Sequence, residues 1–286
     1  MNNFILSGFG DEIHSNLSVQ LKVLKEHDIS YIDLRSINGI SILDYSLQEI
    51  HEIKNQLTNM NIKVSALASP IGKISICDDF SKELEHFKHA LKIAELLETK
   101  YIRIFSYYIP SGQAPAKFKT EVLYRIKTLV TLAEKHNIIL LHENEKDIYG
   151  DTPERCLEIL SAINSNHLKA IFDPANFIQC NEEAFPKAYQ MLKKYIVYFH
   201  IKDALLGDGS VRCAGDGDGK IPELLELLAT EGFHGFLSLE PHLYEFSGLQ
   251  NLELHPELKR AENSGEFYFH KAYEALNKLL NKGETL

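Results

Sequence analysis

The stretch "NIILLHENEKDIYGDTPERCLEIL", residues 137–160, holds one strand, one loop and the start of one helix. An apolar run from Ile138 to Leu141 drives into His142, Glu143, Asn144 and Glu145, and a polar loop follows. Asp151 or Thr152 ahead of Pro153 and Glu154 then supplies an N-cap with proline in the first turn, before apolar residues at three- and four-residue spacing. The stretch is a βα unit whose strand ends in carboxylates, and the fold depends on how often that unit recurs.

It recurs eight times. Strands are expected at 4–9, 30–35, 63–69, 101–107, 138–143, 169–173, 196–201 and 235–240. Between them lie helical patterns such as "NLSVQLKVLKEH", "SLQEIHEIKNQL" and "EVLYRIKTLVTLAEKH", and "SLQE" (46–49) reads as a capping box. Eight units in about 250 residues is the scale of a (β/α)8 TIM barrel. Strand and helix alternate evenly, and no G-x-G-x-x-G follows the first strand, so a closed α/β barrel is favoured over an open doubly wound sheet. No Gly-, Pro- or Ser-rich linker divides the chain, which gives one domain over residues 1–286.

Composition narrows the function classes. Apolar residues at 44% and charged residues at 24% are ordinary globular values, and no run approaches the roughly 18 apolar residues of a membrane span. The start "MNNFILSGFGDEI" has no basic n-region and a short apolar stretch, so a cytoplasmic protein is expected, with no membrane partner. Cys77, Cys156, Cys180 and Cys213 form no C-x-x-C pair and are read as free thiols. A formal charge of −10 repels a polyphosphate backbone, which argues against nucleic acid as a partner.

In a barrel the carboxyl ends of all strands meet at one mouth, where catalytic groups collect. The fifth strand ends in Glu143, the sixth in Asp173 ("AIFDPANF"), the seventh in His200 ("VYFHIKD") and the eighth in Glu240 ("LSLEPH"). Taken singly, each has an ordinary reading: N-cap, turn former, salt-bridge partner or hydrogen-bonded core histidine. Four neighbouring strands delivering three carboxylates and an imidazole to one rim make a repulsive cluster, and a divalent cation removes the repulsion. The mostly oxygen donor set suits one divalent ion, Mn²⁺ foremost, with Mg²⁺, Co²⁺ or Zn²⁺ as alternatives.

"LLHENEK", "IFDPANF", "YFHIKD" and "LSLEPH", in this order, resemble the sugar-phosphate isomerase/epimerase superfamily of xylose-isomerase-like TIM barrels, related to ketose 3-epimerases, inosose dehydratase and endonuclease IV. The resemblance implies that Glu143, Asp173, His200 and Glu240 are metal ligands and that Glu143 and Glu240 also form the acid–base pair. Such a pair moves a proton next to a carbonyl through a cis-enediolate. The sequence departs from the ketose 3-epimerase pattern at Asn176, where those enzymes carry histidine, and at Leu206, where they carry arginine. The "HIKD" segment is closer to dehydratase-like members, so a lyase acting on a keto-inositol or keto-sugar acid stands as the alternative to an isomerase or epimerase of a small sugar, sugar acid or sugar phosphate. Endonuclease-type chemistry would need more histidines on the early strands.

Further substrate-binding candidates are Lys73 in "SPIGKISI", Arg103 and Tyr108 in "YIRIFSYYIP", Glu145, Asn176, Lys202 and Arg212. Each has a competing structural role; Arg103 inside a strand fits a buried ion pair with Asp33 or Glu143 equally well. The glycine-rich "CAGDGDGKIPELLELL" fails the P-loop and EF-hand patterns, which leaves a loop leading into the seventh helix; the family resemblance implies that it folds over the mouth with Arg212 facing the substrate, and a plain βα loop is the competing reading. The segment "HLYEFSGLQNLELHPELKRAENSGEF" is read as a lid or subunit contact, and homo-oligomerisation is left open.

Overall fold

The computed structural model describes residues 4–244 and 264–281. Eight parallel strands run β1 (Ile5–Gly8), β2 (Tyr31–Leu34), β3 (Lys63–Leu67), β4 (Tyr101–Ile104), β5 (Ile139–Glu143), β6 (Leu168–Phe172), β7 (Ile196–Ile201) and β8 (Phe236–Leu239). Their order is β1-β8-β7-β6-β5-β4-β3-β2, and a single parallel bridge from Phe9 to Asp33 links β1 to β2 and nearly closes the ring. The fold is a (β/α)8 TIM barrel.

The helices form where the caps place them. α1 (Leu17–Glu26) is capped by Asn16, whose side chain accepts from Ser18 N at 2.9 Å, so Asp11 and Glu12 are left for other work. α2 (Leu47–Asn59) begins with the reciprocal Ser46–Glu49 capping box, a motif stabilising a helix start by about 1 kcal/mol. α3 (Phe80–Leu96), α4 (Lys119–Lys135) and α5 (Pro153–Ile163) follow β3, β4 and β5. Thr152, not Asp151, caps α5; Asp151 instead pairs with Arg155. The short α6 (Pro174–Gln179) and α7 (Tyr189–Leu192) lie between β6 and β7, α8 (Ile221–Thr230) precedes β8, and α9 (Gly265–Leu280) packs back against the barrel. Among the described residues no helix is long and apolar enough to cross a membrane. The four cysteines are unpaired.

Two apolar cores result from strand alternation. The larger lies between sheet and helices; the smaller holds Ala66, Leu141, Ile171 and Tyr198. Tyr101 on β4 reaches Phe236 on β8 with ring centroids 6.3 Å apart, a contact that only the barrel interior allows. Above these rings, Asp33 Oδ2 accepts hydroxyls from Ser7, Ser65, Tyr198 and Ser238 at 2.5–3.1 Å. This knot ties β2 to β1, β3, β7 and β8 beside the thinly bridged seam. One layer higher the interior turns ionic.

Six of the eight strands end earlier than the sequence pattern suggests, the fourth by the most. The fourth, expected to reach residue 107, stops at Ile104 because the next amides are taken elsewhere. Phe105, Tyr107 and Tyr108 donate to Ile71, Gly72 and Ile74 at 2.8–2.9 Å. The sixth stops at Phe172, and Asp173 turns the chain into α6, its Oδ1 accepting from Asn176 N at 3.0 Å. The segment after β8 that reads as a lid or subunit contact lies largely outside the described residues.

Candidate active site

The carboxyl ends of β5 to β8 bring Glu143, Asp173, His200 and Glu240 together, all buried. One donor atom from each lies within 4.8 Å of the other three. His200 Nδ1 is 2.9 Å from Glu143 Oε1, 3.2 Å from Glu240 Oε2 and 4.0 Å from Asp173 Oδ2. The ring is held edge-on to Phe9, centroids 5.1 Å apart. Asn176 Nδ2 donates to Asn144 O at 2.9 Å and reaches Glu143 Oε1 at 3.4 Å. Asn144 and the Asp173 backbone exchange two further hydrogen bonds, so the ends of β5 and β6 are fixed to each other.

Basic side chains interleave with these acids. Arg103 Nη1 lies 3.0 Å from Glu143 Oε2 and 3.5 Å from Glu240 Oε1. Lys202 Nζ sits 3.0 Å from Asp173 Oδ2 and 3.2 Å from Glu240 Oε2. Arg35, at the end of β2, contacts Glu240 Oε1 at 3.1 Å, Asp11 at 2.8 Å and Glu12 at 3.0 Å. Lys73 pairs with Glu145 at 2.9 Å. His242 Nε2 approaches Glu12 at 3.2 Å and Glu240 at 3.6 Å.

These contacts set the charge states. Burial alone would raise the Glu143 carboxyl, but His200 and Arg103 outweigh it and hold it down at about 2. Glu240 is likewise pushed well below the usual carboxylate range, against its own burial, by Lys202, His200 and His242. Asp173 moves the other way, up to about 6, because burial and the neighbouring Glu240 and Glu143 exceed the pull of Lys202. His200 rises to about 10: its burial opposes the proton, and Glu143 and Glu240 more than compensate. Nδ1 therefore faces a field that favours a positive charge, whether a proton or a metal ion.

The donor set fits a divalent ion on chemical grounds. Six rim carboxylates (Asp11, Glu12, Glu143, Glu145, Asp173 and Glu240) face four permanent cations (Arg35, Lys73, Arg103 and Lys202). With His200 protonated, as its surroundings favour, an excess of one negative charge is left, and with its Nδ1 given to a metal ion the excess is two. Donors around a first-row dication stand at about 2.1 Å from it, so these four atoms would draw in only slightly.

Of the sequence candidates, Lys73, Arg103, Glu145 and Lys202 line one small central cavity with Glu143 and Glu240. Asn176 supports this cavity from behind. Tyr108 is not among the residues lining it, and its backbone bridges Ser75 and Ile148. Arg212 does not reach it either. It lies on a two-residue ribbon opposite Asp203, and its guanidinium bonds to Val211 O. The glycine-rich loop wraps the Asp203 carboxylate, which accepts from Ala204, Gly215, Gly217 and Gly219 at 2.9–3.1 Å. A Cβ at Gly217 would stand 2.4 Å from Asp203 Oδ1, which is why that position is glycine.

Sequence reasoning missed Arg35 and His242. Arg35 carried a usable signal, since it closes "YIDLR" as Glu143 closes "ILLHE". His242 lies beyond the strand end at φ +46, where alternation gives no direction.

Residues 21–267 match the xylose isomerase-like TIM barrel family, and the chain belongs to it. Among solved structures, the chain is similar to a D-tagatose 3-epimerase-like protein (17% identity, 99% of this chain and 100% of that one, TM-score 0.74). It is also similar to the probable 3-DHS dehydratase AsbF of Bacillus anthracis, involved in petrobactin synthesis (16%, 97% and 99%, TM-score 0.73). A third is the IOLI protein with a binding zinc atom (17%, 99% and 100%, TM-score 0.72). At these identities the likeness concerns the fold.

Proposed function

We propose that this protein is a divalent-metal-dependent isomerase or epimerase of a small sugar or sugar derivative, with Glu143, Asp173, His200 and Glu240 as metal ligands. The observation that carries this reading is the convergence of those four buried donors within 4.8 Å. Mn²⁺ is the foremost candidate, with Mg²⁺, Co²⁺ or Zn²⁺ as alternatives. When bound, the ion would polarise a carbonyl and an adjacent hydroxyl.

The chain's own groups do the rest. Glu143 and Glu240 approach from β5 and β8, and both are ionised, so either can accept the proton on the carbon beside the carbonyl. Carboxylates held at so low a pKa are weak bases, which is why the carbonyl must be polarised before transfer. The carboxyl that has taken the proton would return it to the neighbouring carbon of the cis-enediolate, and return at the opposite face would fall to the partner carboxylate once it has drawn a proton from solvent. Arg103 holds Glu143, and Arg35 with Lys202 holds Glu240, fixing each carboxylate in place. The similarity to epimerase structures supports the reading at the level of fold.

A dehydratase acting on a keto-inositol or keto-sugar acid uses the same proton abstraction and expels a β-hydroxyl. Lys202 favours this second reading, because its ammonium sits between Asp173 and Glu240 where it could protonate a departing hydroxyl. Incubation of the Mn²⁺-loaded protein with ketoses in D₂O separates the two. Deuterium next to the carbonyl in recovered sugar supports the isomerase, and an unsaturated keto product supports the lyase. Neither product from any ketose or keto-acid would overturn both.

A further inference from the structure

Asp33 is a buried carboxylate to which the proton-transfer scheme gives no task. It is 1% exposed, its Oδ2 accepts hydroxyls from Ser7, Ser65, Tyr198 and Ser238, and its Oδ1 has no protein hydrogen-bond partner. All four partners are neutral. The cations above it pair with other acids, Arg35 with Asp11, Glu12 and Glu240, and Arg103 with Glu143, and among the described residues no cation forms an ion pair with Asp33. Hydrogen bonds from hydroxyls disperse a carboxylate's charge but do not cancel it, as a guanidinium would.

The place of this charge is set by strand alternation. Asp33 and Arg35 share one face of β2 and its end, as Tyr198 and His200 do on β7, and Ser238 and Glu240 at the end of β8. The knot therefore lies one two-residue step, about 7 Å along the strands, beneath the metal ligands. What lies between is apolar. The fully buried Phe9 ring stands edge-on to His200, with the Arg35 and Arg103 guanidiniums 4.5 and 5.3 Å from its centroid. Ala66, Leu141 and Ile171 make the rest of the interior core to which Tyr198 belongs. Across such a medium a charge is screened little by salt, and it acts on a dication twice as strongly as on a monovalent ion.

We infer that Asp33 is an electrostatic determinant of metal binding: a negative charge without a counter-ion, held beneath Glu143, Asp173, His200 and Glu240, that strengthens their hold on a divalent ion without touching it. The hydroxyls keep this charge in place, and the strand ties they make are a separate, structural effect.

The inference rests on the metal reading above, and the test separates the two. Mn²⁺ is titrated calorimetrically into protein stripped with EDTA, wild type beside Asp33→Asn and Ser65→Ala, with urea unfolding of each. Asp33→Asn keeps the shape and removes the charge. Ser65→Ala opens the knot on β3, a strand that carries no metal ligand, and keeps the charge. The expected result is Mn²⁺ binding about tenfold or more weaker in Asp33→Asn, and within about twofold of wild type in Ser65→Ala even as that variant loses the stability of a buried hydrogen bond. Where Asp33→Asn folds poorly, Asp33→Leu, matched to the apolar neighbours Leu141 and Ile171, makes the same comparison. Wild-type affinity in the folded neutral variant, or equal weakening in Ser65→Ala, overturns the inference alone. A wild-type chain that takes up no Mn²⁺ overturns the metal reading and the inference with it.

Discussion

Glu240 is the residue on which most interactions converge: Arg35, Lys202, His200, Arg103 and His242 all lie within 3.6 Å of its carboxylate. Replacing it with Gln keeps the shape but removes the charge and the proton acceptor. Glu240→Gln is expected to lower kcat by about 10²–10⁴-fold, with far-UV circular dichroism unchanged. Wild-type turnover in that variant would sink its role. The residue was legible in "LSLEPH" because a charged group closing an apolar strand is anomalous by itself. Arg35 carried the same anomaly in "YIDLR" and reads as an ordinary surface charge until β1 and β8 bring Asp11, Glu12 and Glu240 to it. Pairings across two hundred residues leave no local trace, so Arg35 was missed, whereas Arg103, only forty residues from Glu143, was readable as its buried partner.

The elements that place these residues are held by loops as much as by strands. Gly72, at φ +89, lets the loop after β3 zip onto the chain beyond β4, and a Cβ there would lie 2.1 Å from Phe105 O. Gly72→Ala is expected to destabilise the fold by about 1–3 kcal/mol and to shift Lys73 from Glu145. Urea unfolding measures the first effect, and an unchanged midpoint would contradict it. Asp203 plays the same part for the glycine-rich loop. Asp203→Ala strips the acceptor from four backbone amides and should cost about 2–4 kcal/mol, with faster proteolysis between Gly207 and Gly219 as its sign. The strands and helices were legible because period-two and three-to-four-residue patterns are local. The early stop of β4 was not, because residues 105–108 are apolar enough to continue a strand and only the distant loop claims their amides. Arg212 lies outside the lining of the central cavity, and the glycines that follow it curl around Asp203.

At the scale of the whole molecule, the barrel carries an interior whose polarity rises from base to mouth. Aromatic rings give way to the Asp33 hydroxyl knot, and that to a layer in which six carboxylates face four permanent cations. Such a layer is costly without a counter-ion, so a bound dication should stabilise the folded state through mass action. At a free concentration 100 times its Kd, the gain is about 2.7 kcal/mol. Thermal unfolding with and without EDTA should then differ by several degrees, and coincident transitions after verified metal loading would contradict the linkage. The most direct test of the central claim is the metal stoichiometry of protein reconstituted with Mn²⁺ and freed of excess ion, measured beside the Asp173→Asn variant. The account predicts about one equivalent in the native chain and a loss of most of it in the variant. No bound ion in the native chain, or equal content in both proteins, would contradict it.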